Sequence, residues 1–177
     1  PTLSSKKANT IFLEEVCQFV STELPYENKM AETWKDNSLR KEGKLVKEIL
    51  AEFDQNIEDF GFAPATFWYS EKNKPIPQLQ LSFMEGWSKL VSEAFIKLVG
   101  IEDPVPLKSM GEGTARVLQI ALKAVTAKGG FLLIDEFENG LHYSVQPKVW
   151  EWLFTLAQTL DIQIFATTHS KDAVESF

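Results

Sequence analysis

The stretch Phe131-Leu132-Leu133-Ile134-Asp135-Glu136-Phe137 decides how this chain is read. Four apolar residues follow a Gly129-Gly130 break and run straight into two adjacent acids. A short continuous apolar run between turn signals suits a strand buried on both faces. Its carboxylates then emerge at the strand's carboxyl end, where open α/β sheets place their ligand sites. One such acid can hold a hydrated Mg²⁺, and the next can orient or deprotonate a water. Alone, the pattern fits equally a strand that runs into an acidic turn, so the neighbours decide.

Downstream, helical periodicity covers 144–160 and a second strand is expected over 162–167, leading into Thr168, His169 and Ser170. Strand, crossover helix, strand is a βαβ unit, so the two strands should run parallel with a right-handed crossover. A histidine at a strand's carboxyl end can donate a hydrogen bond to a phosphate oxygen; it can equally serve as an ordinary loop residue. Upstream, Ser109-Met110-Gly111-Glu112-Gly113-Thr114-Ala115-Arg116 is a glycine-containing turn entering a helix expected over 111–128. Glycines let the backbone approach a ligand closely, and free N–H groups at a helix start attract anions. The same pattern also serves as a plain helix cap.

The three elements in this order resemble the C-terminal half of the ATP-binding-cassette-like (ABC-like) ATPases, most closely the AAA-labelled branch with OLD-type and RecF/SMC-related proteins. Ser109 to Gly113 matches the signature loop, Phe131 to Glu136 the Walker B strand, Glu138 to His142 the D-loop, and His169 the switch histidine. The resemblance spans about Pro106 to Phe177. It implies a P-loop NTPase fold that uses ATP and Mg²⁺ in a dimer sandwiching the nucleotide. Asp135 would hold Mg²⁺ through water, Glu136 would position the attacking water, and His169 would sense the γ-phosphate. Ser109, Gly111, Glu112 and Gly113 would contact ATP bound to a second copy, and Asn139, Gly140, Leu141 and His142 would form the D-loop. Two departures stand out from the transporter-type signature Leu-Ser-Gly-Gly-Gln: Met110 takes a glycine position and Glu112 replaces the glutamine. His142 stands where transporters carry an aspartate, either as a turn residue or as an interface contact.

No Gly-x-x-x-x-Gly-Lys-Ser/Thr loop occurs; the only Gly-Lys pair is Gly43-Lys44, inside a charged helical pattern. Without that loop there is neither a phosphate cradle nor a lysine on the β- and γ-phosphates. The family places it upstream of the signature, and the sequence stops soon after His169. The chain therefore reads as an incomplete middle-to-C-terminal piece of an ATPase, essentially inactive alone.

The first 105 residues read as a mainly helical lobe, lid or arm, followed by the α/β lobe over 106–177. A helix is expected over 10–22, with Leu24-Pro25-Tyr26 ending it, and a longer charged one over 38–60, from the helical spacing of Leu39, Val46, Ile49, Leu50, Phe53, Ile57 and Phe60. In the latter, basic residues (Arg40, Lys41, Lys44, Lys47) precede acidic ones (Glu52, Asp54, Glu58, Asp59). Such a basic block suits a solvated face or phosphate contacts. The aromatic, Pro-punctuated stretch 61–77 reads as irregular with a strand, and 78–83 alternates as a half-buried strand does. Ser82 with Glu85 resembles a capping box opening a helix with Trp87, Leu90, Val91, Ala94, Phe95 and Leu98 buried and Gly100 at its end. The two-proline stretch Glu102–Pro106 is the softest boundary.

Composition limits the function classes. Five tryptophans and thirteen phenylalanines among 177 residues supply a substantial core. A net charge of −7 makes non-specific attraction to nucleic acid no default, so DNA or an effector protein stays only a possible partner. Cys17 is the only cysteine, which excludes an intrachain disulfide or a cysteine metal cluster and suits the cytoplasm. No apolar run approaches the length of a membrane span and no leader pattern is evident. Two other readings compete. A metal-dependent nuclease would draw on Asp135, Glu136, Glu138, His142 and His169, but two-metal sites need carboxylates from several elements. Here three acids lie on one turn, and no Asp-x-Asp pair exists. The second is a non-catalytic interaction or regulatory module of the same fold.

Overall fold

The structure is a computed structural model that describes residues 16–23, 27–64 and 92–177. Its centre is a parallel sheet in the order β1–β5–β6, formed by β1 (Cys17–Val20), β5 (Phe131–Ile134) and β6 (Gln163–Ala166). Between the last two, α4 (Gln146–Leu160) makes the crossover, entered through a 3₁₀ turn over Tyr143–Val145. The expected βαβ unit is therefore present, with parallel β5 and β6 in register from Phe131↔Gln163 to Ile134↔Ala166. The signature-like turn is a 3₁₀ segment, Leu107–Met110, followed by α3 (Glu112–Thr126). Helix α3 packs under β1 and β5, and Val117, Leu118, Ile120, Ala121 and Ala124 on it are buried.

Strand β5 is not buried on both faces as its apolar run suggested. Leu132 and Ile134 are enclosed, whereas Phe131 and Leu133, pointing the other way, stay half-exposed. Apolar content reported the strand correctly, but a cover on one face only is visible among the described residues.

The helix expected over 10–22 is corrected where it is described: Cys17–Val20 is a strand, and 10–15 lie outside the described residues. Four residues are too few to separate period 3.6 from period 2. Long-range pairing decides, with the Phe131 N–H donating to Val16 O and the Asp135 N–H to Val20 O, each at 2.9 Å. Gly130 is required by this pairing, because a Cβ there would lie 2.1 Å from Val16 O.

The second unit comprises α1 (Glu27–Asn37), α2 (Lys41–Phe53) and an antiparallel sheet of β2 (Ile57–Pro64), β3 (Ser92–Leu98) and β4 (Val105–Pro106), in the order β2–β3–β4. The long helix expected over 38–60 is corrected: it ends at Phe53, and Ile57–Phe60 is strand. The register slips between Ile57 and Asp59, so Glu58 is an extra, bulged residue. The bulge lets Ile57 and Phe60 both enter the core, at the i, i+3 spacing of a helix. The helix expected to end near Gly100 is likewise corrected over Ser92–Leu98. Ala94, Phe95 and Ile96 are buried in succession there, so no alternation marks the strand. The elements expected over 78–91, and the stretch around Pro25, lie outside the described residues. Val105–Pro106, expected in a loop, pairs with β3. Before residue 106, strands thus stand beside the two helices.

The basic block of α2 is partly neutralised by neighbours. Lys44 pairs with Glu48 at 3.2 Å, and Lys47 pairs with Asp59 at 2.9 Å while lying 5.9 Å from the Trp34 ring centre. These exposed pairs make it a solvated helix face rather than a free cationic patch. No helix among the described residues is long and apolar enough to cross a membrane.

Candidate nucleotide site

Asp135 and Glu136 leave the carboxyl end of β5, and Thr167 leaves that of β6, which places them side by side. The Thr167 hydroxyl donates to Asp135 Oδ1 at 2.8 Å, and its oxygen accepts the Glu136 N–H at 3.0 Å. The Phe137 N–H donates to Thr167 O at 2.9 Å. One threonine therefore fixes the orientation of one acid and the backbone of the other.

Glu136 has φ 45°, in the left-handed region that costs a non-glycine residue about 1–2 kcal/mol. Such a conformation persists only where its surroundings over-determine it. Here Thr167 takes its N–H, while its carbonyl accepts from the Asn139 N–H at 2.9 Å and from Arg116 Nη2 at 3.0 Å. The strain lies at the residue expected to handle the water.

Arg116 is the structural hub. It is 1% exposed, and Nη2 also donates to Asp135 O at 2.7 Å. Nη1 donates to Gln119 Oε1 at 3.0 Å and to Ser21 O. Burial lowers its pKa below the usual arginine value, opposed by the charges of Asp135, Glu136 and Glu138. The planar fork lets one side chain from α3 hold carbonyls from β1's end and from the acidic turn.

Glu138 reaches across to the turn after β6, where its Oε1 accepts the His169 N–H at 2.9 Å. Burial opposes ionisation of this carboxyl, but the nearby Thr168 hydroxyl and the backbone N–H groups of Glu138, His169 and Ser170, of which the His169 N–H is bonded to it, outweigh that effect. The pKa falls below the ordinary value. His169 itself is exposed, just before the short helix α5 (Lys171–Glu175), whose N-cap is Ser170.

The D-loop residues are placed by these contacts. Asn139 Nδ2 donates to Thr22 O at 2.7 Å, Leu141 is buried, and Gly140 has φ 74°. His142 Nδ1 lies 2.9 Å from Ser144 Oγ and accepts the Ser144 N–H at 3.4 Å, capping the 3₁₀ turn into α4. A turn role for His142 is thus visible. Gly140 lies against the start of α3: a Cβ on Gly113 would come 3.2 Å from Gly140 O.

The signature residues sit apart from the acids. Ser109 donates its hydroxyl to Pro106 O at 2.6 Å, and Ser109, Gly111 and Glu112 are exposed. No hydrogen bond or ion pair among the described residues joins them to Asp135, Glu136 or His169; the connection runs through Arg116 and the Gly113–Gly140 contact. Gly111, with φ 87°, caps a fifteen-residue helix whose first N–H groups take no side-chain cap from it.

Two residues that build this site were not singled out for it from the sequence, Arg116 and Thr167; Glu138 was named only as the start of the D-loop and in the nuclease reading, without its clamp on the turn after β6. The available signal for Arg116 was a charge inside the apolar stripe of α3; for Thr167 it was a hydroxyl at a strand's carboxyl end. As a cation site, the half-buried Asp135 carboxylate, oriented by Thr167, offers a hard oxygen donor that suits Mg²⁺. Among the described residues no three of His, Cys, Asp and Glu are grouped as an all-protein metal cage. Mg²⁺ bound mainly by water and phosphate needs no such cage.

Comparison with known proteins bears on the fold and the family. A curated "ATP/GTP phosphatase" of Helicobacter pylori is 32% identical over 89 residues, covering 45% of this chain and 22% of that protein. An uncharacterized protein of Methanocaldococcus jannaschii is 36% identical over 66 residues, covering 37% and 58% respectively. The chain thus spans about a fifth and somewhat over half of these relatives. Among solved structures, an SMC head bound to the C-winged helix domain of ScpA superposes with a TM-score of 0.52 at 14% identity, covering 86% of this chain and 44% of that one. That likeness shows the fold, a P-loop NTPase α/β architecture. The family model described as "AAA domain, putative AbiEii toxin, Type IV TA system" matches residues 35–174. With most of its length inside that match, the chain belongs to this AAA-domain family.

Proposed function

We propose that these residues form the signature, Walker B, D-loop and switch portion of an ATPase that binds ATP between two copies. The observation that carries this reading is the Thr167 bridge, which holds the Asp135 carboxylate and the Glu136 backbone together beside the turn bearing His169. Asp135 would hold Mg²⁺, and the cation would supply charge neutralisation at the nucleotide's phosphates. Glu136 orients the attacking water and takes its proton. His169 donates a hydrogen bond to a γ-phosphate oxygen.

The start of α3, from Gly111 through Gly113, presents backbone N–H groups and a positive helix end to ATP bound by the second copy. Glu112 serves there through its main chain, since its carboxylate would repel phosphate. Asn139 to His142 lie beside this surface, which supports a D-loop role at the interface between copies. The phosphate-cradling loop comes from outside these 177 residues, which on their own turn over ATP hardly at all. The span of only part of the relatives' length supports this. The segment read as the lobe, lid or arm, residues 1–105, supplies that part apart from β1, which pairs with β5 in the parallel sheet. The protein works in the cytoplasm, and DNA or an effector protein is the partner to which hydrolysis is coupled.

The test is Glu136→Gln in the full-length protein. Loss of the base lowers kcat by about 10²–10⁴-fold, while ATP binding persists and a dimer accumulates with ATP, read by sedimentation. Unchanged phosphate release removes the role given to Glu136.

A further inference from the structure

Glu138 has no part in the reaction proposed above, yet its main chain and side chain reach two different loops of the site. Its carbonyl accepts the Leu141 N–H at 2.9 Å, closing the turn in which Gly140 lies against the start of α3. Its carboxylate crosses to the turn after β6 and takes the His169 N–H. That turn is also tied within itself, by the Ser170 N–H donating to Thr168 Oγ1 at 3.0 Å. The second carboxylate oxygen of Glu138 is shut off from solvent and has no hydrogen-bond partner among the described residues, while the residue as a whole is half-buried.

The His169 ring takes no hydrogen bond from the described residues, and the residue is exposed. Its position is therefore set through its backbone, and the side chain that holds that backbone is Glu138. A carboxylate accepting an N–H is among the stronger hydrogen bonds a protein can place. A side chain that is too short, or that lacks an acceptor oxygen, would leave the His169 N–H without this bond and the turn held only through Thr167 and its own internal bond.

We infer that Glu138 is a positioning residue, clamping the backbone of His169 to the Glu138–Leu141 turn. The imidazole thereby keeps a fixed relation to Glu136, and a shift of the turn packed on α3 is passed to the histidine. The inference rests on the proposal that His169 acts on the γ-phosphate.

Its test compares Glu138→Ala, Glu138→Gln and His169→Ala in the full-length protein, reading amide hydrogen exchange at His169 together with kcat and KM for ATP. Glu138→Ala speeds exchange at His169 and lowers kcat by up to about 10²-fold, the cost of a misplacement near 1 Å. KM moves little, since the loss falls on the transition state. Glu138→Gln keeps an acceptor oxygen and recovers most of both. Unchanged exchange in Glu138→Ala overturns the clamp, and faster exchange with unchanged kcat overturns its role in positioning. If Glu138→Ala does not fold, Glu138→Asp replaces it, keeping the charge but falling one methylene short of the His169 N–H. Wild-type exchange and kcat in that variant also overturn the inference. If His169→Ala leaves kcat untouched, the role given to His169 fails, and the exchange data still report the clamp separately.

Discussion

Arg116→Lys keeps a positive charge in the same place and removes the geometry that uses it. The guanidinium donates to four acceptors, Ser21 O, Gln119 Oε1, Asp135 O and Glu136 O, from two nitrogens facing different ways. An ammonium has three donors on one atom and cannot serve acceptors on both sides. At least two of these groups then lose their partner, each at about 1–3 kcal/mol when buried. The lysine charge is also harder to strip of water than the guanidinium. A loss of about 3–5 kcal/mol follows, the range seen when a buried charged pair is broken. Against a total of about 5–15 kcal/mol for a domain, that is a large fraction. Urea unfolding reads it as a fall in midpoint of about 2 M, for a slope near 2 kcal/mol/M. Arg116→Met separates the contributions, since it deletes the same bonds without leaving a charge behind. It should be no worse than lysine, because the cost of burying a charge there outweighs its attraction to Asp135, Glu136 and Glu138. A lysine variant that loses less than about 1 kcal/mol would refute the claim that these carbonyls hold the acidic turn.

Two further tests address the carboxylate clamp and the sheet. Glu138 has a folded-state pKa below its ordinary 4.5, so its contribution to stability is complete above that value and is lost as pH falls through the lowered one. Urea midpoints measured from neutral pH downward should therefore fall less steeply below pH 4.5 for Glu138→Gln than for wild type; parallel curves contradict the assignment. Gly130→Ala places a Cβ 2.1 Å from Val16 O, forcing β1 away from β5 at a cost of about 3 kcal/mol or more. Gly61→Ala, where nothing lies within 4 Å, is the control and should be neutral or slightly stabilising. Equal midpoints for the two alanines would show that β1 does not pair as described.

The parts of the fold legible in the sequence are those specified locally. The α3–β5–α4–β6 run has two long periodic helices and a strand opened by Gly129-Gly130, so its elements lie within two residues of the expected bounds. Errors fall where a long-range partner decides. Residues 17–20 are strand only because β5 accepts them, 57–60 look helical only because a bulge turns Ile57 and Phe60 inward together, and 92–98 hide their strand by being buried in succession.

The candidate site divides along a similar line. Asp135, Glu136 and His169 are legible because their chemistry is in their side chains. Arg116, Thr167 and Glu138 are not, because their partners are largely main-chain atoms, whose positions no residue spacing encodes. Yet those three determine how the acids and the histidine stand to one another: Thr167 through β6, Arg116 through α3, Glu138 through the turn between. A chain could keep both acids and the histidine and still hold them out of line. Whether such a strand end can work as a catalytic edge is therefore a question about its holding residues as much as about its acids. Arg116 is the most informative of them, because it alone ties the helix that follows the exposed signature turn to both backbone carbonyls of the acidic pair.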